Sequence, residues 1–189
     1  MQQTFHMVNT ILMDASETRK RRLNIRTYKV IPLTPCAGIL EWVQNTTPLG
    51  EYLVGGSFPL ESAHRRYRPQ DRLSIDIRKD MTNANEKTRL AKFQDSMTQF
   101  LPVFHHFFLE HFSKPPEWFT KRLSYTRSVA SNSIVGYIVG LGDRHSHNIL
   151  IDRGSAELVH IDLGVAFEQG KMLRVPEVTQ KYACVRAWS

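Results

Sequence analysis

Apolar positions recur at helical spacing in the first dozen residues. Phe5, Val8, Ile11 and Leu12 share one face, which predicts an amphipathic helix over 2–13. Residues 14–22 are polar and predict a loop. Thr27-Tyr28-Lys29-Val30-Ile31-Pro32-Leu33 predicts a strand, residues 34–38 a turn, and Ile39-Leu40-Glu41-Trp42-Val43 a returning strand. Residues 48–71, rich in Gly, Pro and Arg, predict a connecting segment. Residues 83–100 predict a helix of mixed charge, and 101–112 an aromatic helix opened by Pro102 and ended by Pro115-Pro116. A short helix over 117–123 and a long apolar one over 126–139 follow, the latter with the small residues Ala130, Ser131, Ser133 and Gly136. Gly140-Leu141-Gly142 breaks it. Ile149-Leu150-Ile151 and Leu158-Val159-His160-Ile161, separated by the turn cluster Asp152-Arg153-Gly154-Ser155, predict a β-hairpin.

A chain of 189 residues with 41% hydrophobic and 10% aromatic content is large enough for one core. No apolar run is long enough to cross a bilayer, and the first residues lack the profile of a signal peptide. Two cysteines, Cys36 and Cys184, make no disulfide framework and point to a reducing compartment. The net charge of +7 is densest in Arg19-Lys20-Arg21-Arg22 and Arg65-Arg66-Tyr67-Arg68. Such runs are ordinarily solvated, and neither has the interleaved aromatics of a single-strand platform, so direct nucleic-acid binding is not expected.

The chemistry concentrates in Asp143-Arg144-His145-Ser146-His147-Asn148 and, fourteen residues on, Asp162-Leu163-Gly164. Any one of these residues alone is an ordinary turn former. Together they supply what phosphoryl transfer requires: one carboxylate to orient the attacking hydroxyl and two oxygen ligands for a divalent metal. Asn148 opens the first hairpin strand and Asp162 closes the second, so antiparallel pairing brings them to one end, where they could share a hard cation. Alternation sets His160 on the same face as Asp162, within reach of a phosphate. Asp143 and Asn148 stand five residues apart, as in protein kinases, but here the histidine follows the aspartate. The strand pair before Gln44 then reads as an adenine-binding hinge. Trp42 is the stacking candidate, Tyr28 and Leu40 line the back, and Leu150 or Ile161 forms the floor. Core packing of Trp42 and Tyr28 is the competing reading.

Gly140-Leu141-Gly142-Asp143-Arg144-His145, Asn148 and the run Ser155-Ala156-Glu157-Leu158-Val159-His160-Ile161-Asp162-Leu163-Gly164 through Lys171 resemble the phosphatidylinositol 3-kinase-related protein kinases. Leu40-Glu41-Trp42 and Tyr125-Thr126-Arg127-Ser128 extend the resemblance, which spans roughly residues 1–177. It implies an α+β fold of the PI3/PI4-kinase type. Residues 1–47 would end an N-lobe with its hinge strands, 48–82 connect, 83–178 form part of a C-lobe, and 179–189 form a divergent tail. It also implies a serine/threonine protein kinase using ATP with Mg2+ or Mn2+ on Ser-Gln or Thr-Gln sites, in DNA-damage checkpoint signalling in the nucleus. By position, Asp143, Arg144 and His145 are the catalytic candidates, and Asn148 and Asp162 bind metal. Tyr28, Leu40, Trp42, Val43, Leu150, His160 and Ile161 bind the nucleotide.

The glycine-rich loop and strand lysine of the family do not occur in these residues, and the match fades after Pro176-Glu177-Val178. A truncated catalytic segment, inactive alone and meeting damage-sensor complexes through other parts, is therefore expected. Two alternatives stay open: a phosphoinositide lipid kinase, and a non-catalytic binding fragment. Lipid kinases of this type carry bases after the glycine of the last triplet. Val165-Ala166-Phe167-Glu168-Gln169-Gly170 has none before Lys171, which favours a peptide substrate over a membrane.

Overall fold

The computed structural model describes residues 1–55, 61–167 and 169–172; the tail over 179–189 and Cys184 lie outside the described residues. In chain order the first elements are α1 (Gln2–Asp14), α2 (Ser16–Lys20), β1 (Val30–Thr34), β2 (Ala37–Leu40), β3 (Thr46–Pro48), α3 (Leu49–Val54) and α4 (Ala63–Tyr67). Then come α5 (Ser74–Thr82), α6 (Glu86–Gln99), α7 (His105–His111), α8 (Pro115–Ile138), β4 (Ile149–Asp152), β5 (Leu158–His160) and a 3-10 turn, Gln169–Met172. No helix among the described residues is long and apolar enough to cross a membrane. The chain forms two compact units, one from residues 1–49 with the described residues from 108 onward, the other from residues 50–107.

In the first unit α1 buries Phe5 against Ile25, Val135, Val139, Leu141 and Ala166, while Ile11, expected on the same face, is exposed. The Asn9 amide fastens this helix to the next segment, donating to Ile25 O at 2.7 Å and accepting Ile25 N–H at 2.8 Å. The expected loop over 14–22 contains α2. Glu17 pairs with Lys20 and Arg21 at 3.3 and 3.4 Å, spacings that favour a helical turn even in a polar run.

The expected strands over 27–33 and 39–43 are real but shorter. β1 and β2 pair antiparallel, Ile31 opposite Ile39, and all their residues are exposed. Tyr28, Trp42 and Val43 flank the ladder. The expected hairpin forms as β4–β5, Leu150 opposite Val159, and is almost wholly buried. β3 adds a third strand beside β4, Thr47 opposite Ile151. The two helices expected over 117–123 and 126–139 are one, α8. Pro115 and Pro116 start it, since a first-turn proline gives up no intrahelical hydrogen bond.

Two buried ties set the hairpin in place. The Ser128 hydroxyl of α8 accepts Leu158 N–H at 2.9 Å and donates to Tyr125 O at 3.0 Å. At the hairpin turn, Asp152 accepts N–H bonds from Gly154 and Ser155 at 2.7 and 2.9 Å and an ion pair from Arg26. Burial pushes the Asp152 carboxyl up. Arg26 and those two N–H groups outweigh it and hold the group below the usual carboxylate range. Ser128→Ala orphans a buried N–H on β5 and is expected to cost about 1–3 kcal/mol. The shift in urea midpoint measures this, and a loss below about 0.5 kcal/mol would remove the tie from the account.

The expected connecting segment over 48–71 contains helices: α3 and α4 lie within it and α5 follows. Tyr52 meets Phe104 and Phe107 edge-on at 6.2 and 5.3 Å, and His64 stacks on Phe100 at 3.8 Å. Asp71 accepts Arg68 Nε at 2.8 Å and Leu101 N–H at 3.4 Å. The Asn85 side chain caps α6 by accepting Thr88 N–H at 2.9 Å. The aromatic helix is shorter than expected: Pro102 stands before it, and α7 begins at His105.

Candidate active site

Gly140 takes φ 59°, a left-handed turn that ends the path of α8 and that glycine adopts without steric cost. Asp143 and Asp162 are left-handed too, at φ 55° and 52°. Aspartate tolerates this region better than most residues, and strained backbone concentrates at functional sites. The two turns are stitched together. Gly142 N–H donates to Val165 O at 2.9 Å, Phe167 N–H to Val139 O at 2.8 Å, and Ile161 N–H to Asn148 O at 3.1 Å. Asn148 and Asp162 therefore stand at the same end of the hairpin, as their spacing predicts.

Arg144 is the brace. Only 4% exposed, it donates from Nε to Gly142 O at 2.8 Å, from Nη1 to Ile161 O at 2.7 Å, and from Nη2 to Asp162 O. One guanidinium fork thus holds three backbone carbonyls on both sides of the site, a geometry no lysine can copy. Asn148 Nδ2 donates to Asp143 O at 3.0 Å and to Asp143 Oδ2 at 3.4 Å. That use of the amide nitrogen leaves Asn148 Oδ1 as the outward acceptor. His145 Nε2 lies 3.8 Å from Asp143 Oδ1, longer than a hydrogen bond, and both side chains are open to solvent.

His160 behaves differently from its solvent-reaching neighbours. Its Nδ1 is buried with no hydrogen-bond partner, and burial first, then the Arg144 charge, push its pKa down to about 4. The ring is neutral at physiological pH. A histidine protonated near 6.5 when unfolded and near 4 when folded weakens the fold as pH falls through that interval. Stability is expected to rise from pH 4 to 6.5 by roughly 1–3 kcal/mol, and His160→Gln should flatten the rise. Denaturation midpoints across that range in both proteins check it; equal slopes would show that other groups carry the dependence.

The remaining candidates separate into two places. Tyr28, Trp42 and Val43 line a cleft of about 470 Å³ together with Arg26, Thr27, Glu41 and Gln44. Trp42 is 86% exposed, so core packing is not its role. Leu40 projects from the exposed ribbon, and Leu150, His160 and Ile161 belong to the β4–β5 hairpin; none of the four lines the cleft. Sequence reasoning passed over Arg26, Glu41 and Gln44, whose polar character carries no local signal of a cleft wall.

Carboxylate and amide oxygens are the donors that a hard divalent cation takes. Asp162 places an exposed carboxylate at the end of the hairpin where Asn148 also stands, and a side chain at position 164 would come within 3.8 Å of Asp162 Oδ1. Among the described residues no group of three His, Cys, Asp or Glu side chains forms a closed metal cage. Two protein oxygens with positions left for phosphate and water is the pattern magnesium favours.

Comparison with known proteins gives the family of the chain. The family model described as phosphatidylinositol 3- and 4-kinase matches residues 1–180. The chain is 58% identical over 177 residues to the serine/threonine-protein kinase ATM of Arabidopsis thaliana and 54% identical over 180 residues to the serine-protein kinase ATM of Sus scrofa. In each case 94% of this chain is covered, but it spans only 4% and 6% of the length of those relatives. Among solved structures, the open conformation of CtTel1 superposes with a TM-score of 0.85 at 48% identity, covering 94% of this chain and 6% of that one. A Tel1 kinase described as a symmetric dimer superposes at 0.79 and 40% identity, covering 94% and 7%. The chain belongs to the phosphatidylinositol 3- and 4-kinase family, on the branch shared with the ATM and Tel1 kinases.

Proposed function

We propose that these residues form the phosphoryl-transfer centre of a serine/threonine protein kinase acting on Ser-Gln or Thr-Gln sites in nuclear DNA-damage checkpoint signalling. The observation that carries the reading is the Arg144 brace, which ties the Asp143 turn and the Asp162 turn into one body. Relatives named serine/threonine-protein kinase and serine-protein kinase, at 58 and 54% identity, support a protein substrate, and the Ser-Gln and Thr-Gln sites follow from the family resemblance. In this mechanism Asp143 orients the substrate hydroxyl and accepts its proton, a role that needs the solvent access its side chain has. Asn148 steadies Asp143 through its amide nitrogen. Its oxygen and the Asp162 carboxylate are the ligands for Mg2+ or Mn2+, which when bound screens the charge of the ATP phosphates. His145, beside Asp143 and open to solvent, stabilises the transferring group. Arg144 is a positioning residue, spent on carbonyls. Trp42, Tyr28 and Val43 hold the adenine in their cleft.

The lipid-kinase alternative is disfavoured by one feature, the absence of a basic cluster between Val165 and Gly170. The assay uses the protein at the full length the cell makes, with radiolabelled ATP and either a Ser-Gln peptide or phosphatidylinositol vesicles. Label is expected in the peptide. Label in lipid alone would overturn the assignment.

A further inference from the structure

The cleft beside Trp42 has two walls, residues 26–28 on the way into β1 and residues 41–44 on the way out of β2. The ribbon that joins them buries nothing, since every residue of β1 and β2 is exposed. Packing within the ribbon therefore does not fix how far apart the walls stand. At the ribbon end they are tied to each other: Lys29 O accepts Glu41 N–H at 2.9 Å, and Glu41 Oε2 accepts Lys29 N–H at 2.8 Å. Their other ends need a separate anchor.

Asp152, the last residue of β4 and only 6% exposed, supplies it. Its two oxygens have separate tasks. Oδ1 accepts Gly154 N–H at 2.7 Å and Ser155 N–H at 2.9 Å, which shapes the hairpin turn, and it takes the Asn45 amide at 3.4 Å. Oδ2 accepts from Arg26 Nη1, across 126 residues of sequence. Arg26 begins one wall, and Asn45 directly follows the other. Arg153 closes the same junction, donating its N–H to Asn45 O at 2.9 Å and its Nε to Thr47 Oγ1 at 2.6 Å. A turn of this kind needs only one aspartate oxygen for its local bonds. The second oxygen, with a cation brought to it from the cleft wall, is not explained by the turn.

We infer that Asp152 is a positioning residue for the nucleoside triphosphate: through Arg26 and Asn45 it holds both walls of the cleft at the spacing that grips the adenine. The inference rests on the kinase reading above, which puts the adenine against Tyr28, Trp42 and Val43. Asp152 acts on the nucleotide only through those two residues. Without its carboxylate partner the Arg26 side chain regains rotamer freedom beside the adenine, and the wall it begins loses its anchor. The loss falls on nucleotide binding. Asn148 and Asp162 stand at the opposite end of the β4–β5 hairpin from Asp152, so a triphosphate once bound reacts at its former rate.

Asp152→Asn in the full-length protein isolates the tie, because the amide oxygen keeps the bonds of Oδ1 while the amide nitrogen removes the acceptor for Arg26. The measurements are KM for ATP, KM for a Ser-Gln peptide, kcat, and the Kd of a non-hydrolysable ATP analogue with Mg2+. KM for ATP and the analogue Kd are expected to rise about tenfold, the scale of coupling between contacting groups. Peptide KM and kcat should stay within about twofold, a split that general loosening of the fold would not give. Arg26→Met leaves every Oδ1 bond in place and should give the same rise, with the double variant no worse than either single one. Should Asp152→Asn fail to fold, Arg26→Met decides alone. Labelled peptide with nucleotide affinity indifferent to both variants, or a fall in kcat at constant KM for ATP, overturns the inference and leaves the kinase reading standing. Analogue binding that depends on Asp152 without any labelled peptide does the reverse, and no binding by the wild type removes both.

Discussion

Asp143→Asn is expected to lower peptide phosphorylation by roughly 10²–10⁴-fold, the range for loss of a positioned acid–base group. Asparagine is the informative replacement. It tolerates the left-handed backbone that Asp143 adopts at φ 55°, so the turn survives and only the charge and basicity are lost. Asp143→Ala adds a backbone penalty of about 1–2 kcal/mol on top of the same chemical loss. Asn148 keeps its bond to the Asp143 carbonyl at 3.0 Å in either variant, so the site stays assembled. The measurement is kcat with a Ser-Gln peptide, next to a thermal melt. An Asn variant within threefold of wild type would remove Asp143 from the chemistry, whatever its melting temperature.

Arg144→Met should produce the larger stability effect, about 3–5 kcal/mol. Methionine fills much of the volume but leaves Gly142 O, Ile161 O and Asp162 O without their buried donor. Each orphaned carbonyl costs about 1–3 kcal/mol, and relaxation keeps the sum below the simple total. Arg144→Lys should recover little, because one ammonium cannot reach three carbonyls in a fork. Chemical denaturation of both variants decides the matter. A loss under about 1 kcal/mol in the methionine variant would mean that the backbone contacts alone, such as Gly142 to Val165, hold the site.

Legibility in the sequence followed the range over which each signal acts. The β4–β5 hairpin was readable because two apolar runs flank a turn cluster, and α1 because its period is local. Asn148 and Asp162 meeting at one end followed directly from the pairing. β3 was not readable, since its partner lies about a hundred residues away and Thr46-Thr47-Pro48 has no pattern of its own. The expected helices over 117–123 and 126–139 are one because Ser124-Tyr125 between them carries no helix-breaking residue. The role of Arg144 was hidden for a deeper reason. An arginine beside an aspartate reads as a charge for substrate, and only the folded chain shows its donors turned inward to carbonyls. The adenine candidates divided because the hinge strands end sooner than their residues implied, leaving Trp42 on irregular chain beside Tyr28.

The exposed ribbon of β1 and β2 has two outer margins, and they differ. Ile31 pairs with Ile39 and Lys29 accepts the N–H of Glu41, so Val30 and Pro32 turn their backbone nitrogens outward. Proline has no hydrogen to offer there. A strand extending this sheet on the β1 side would find a gap in the ladder where Pro32 sits, whereas on the β2 side Gly38 and Leu40 both keep an outward N–H. An added strand would therefore find more hydrogen-bond donors along β2 than along β1.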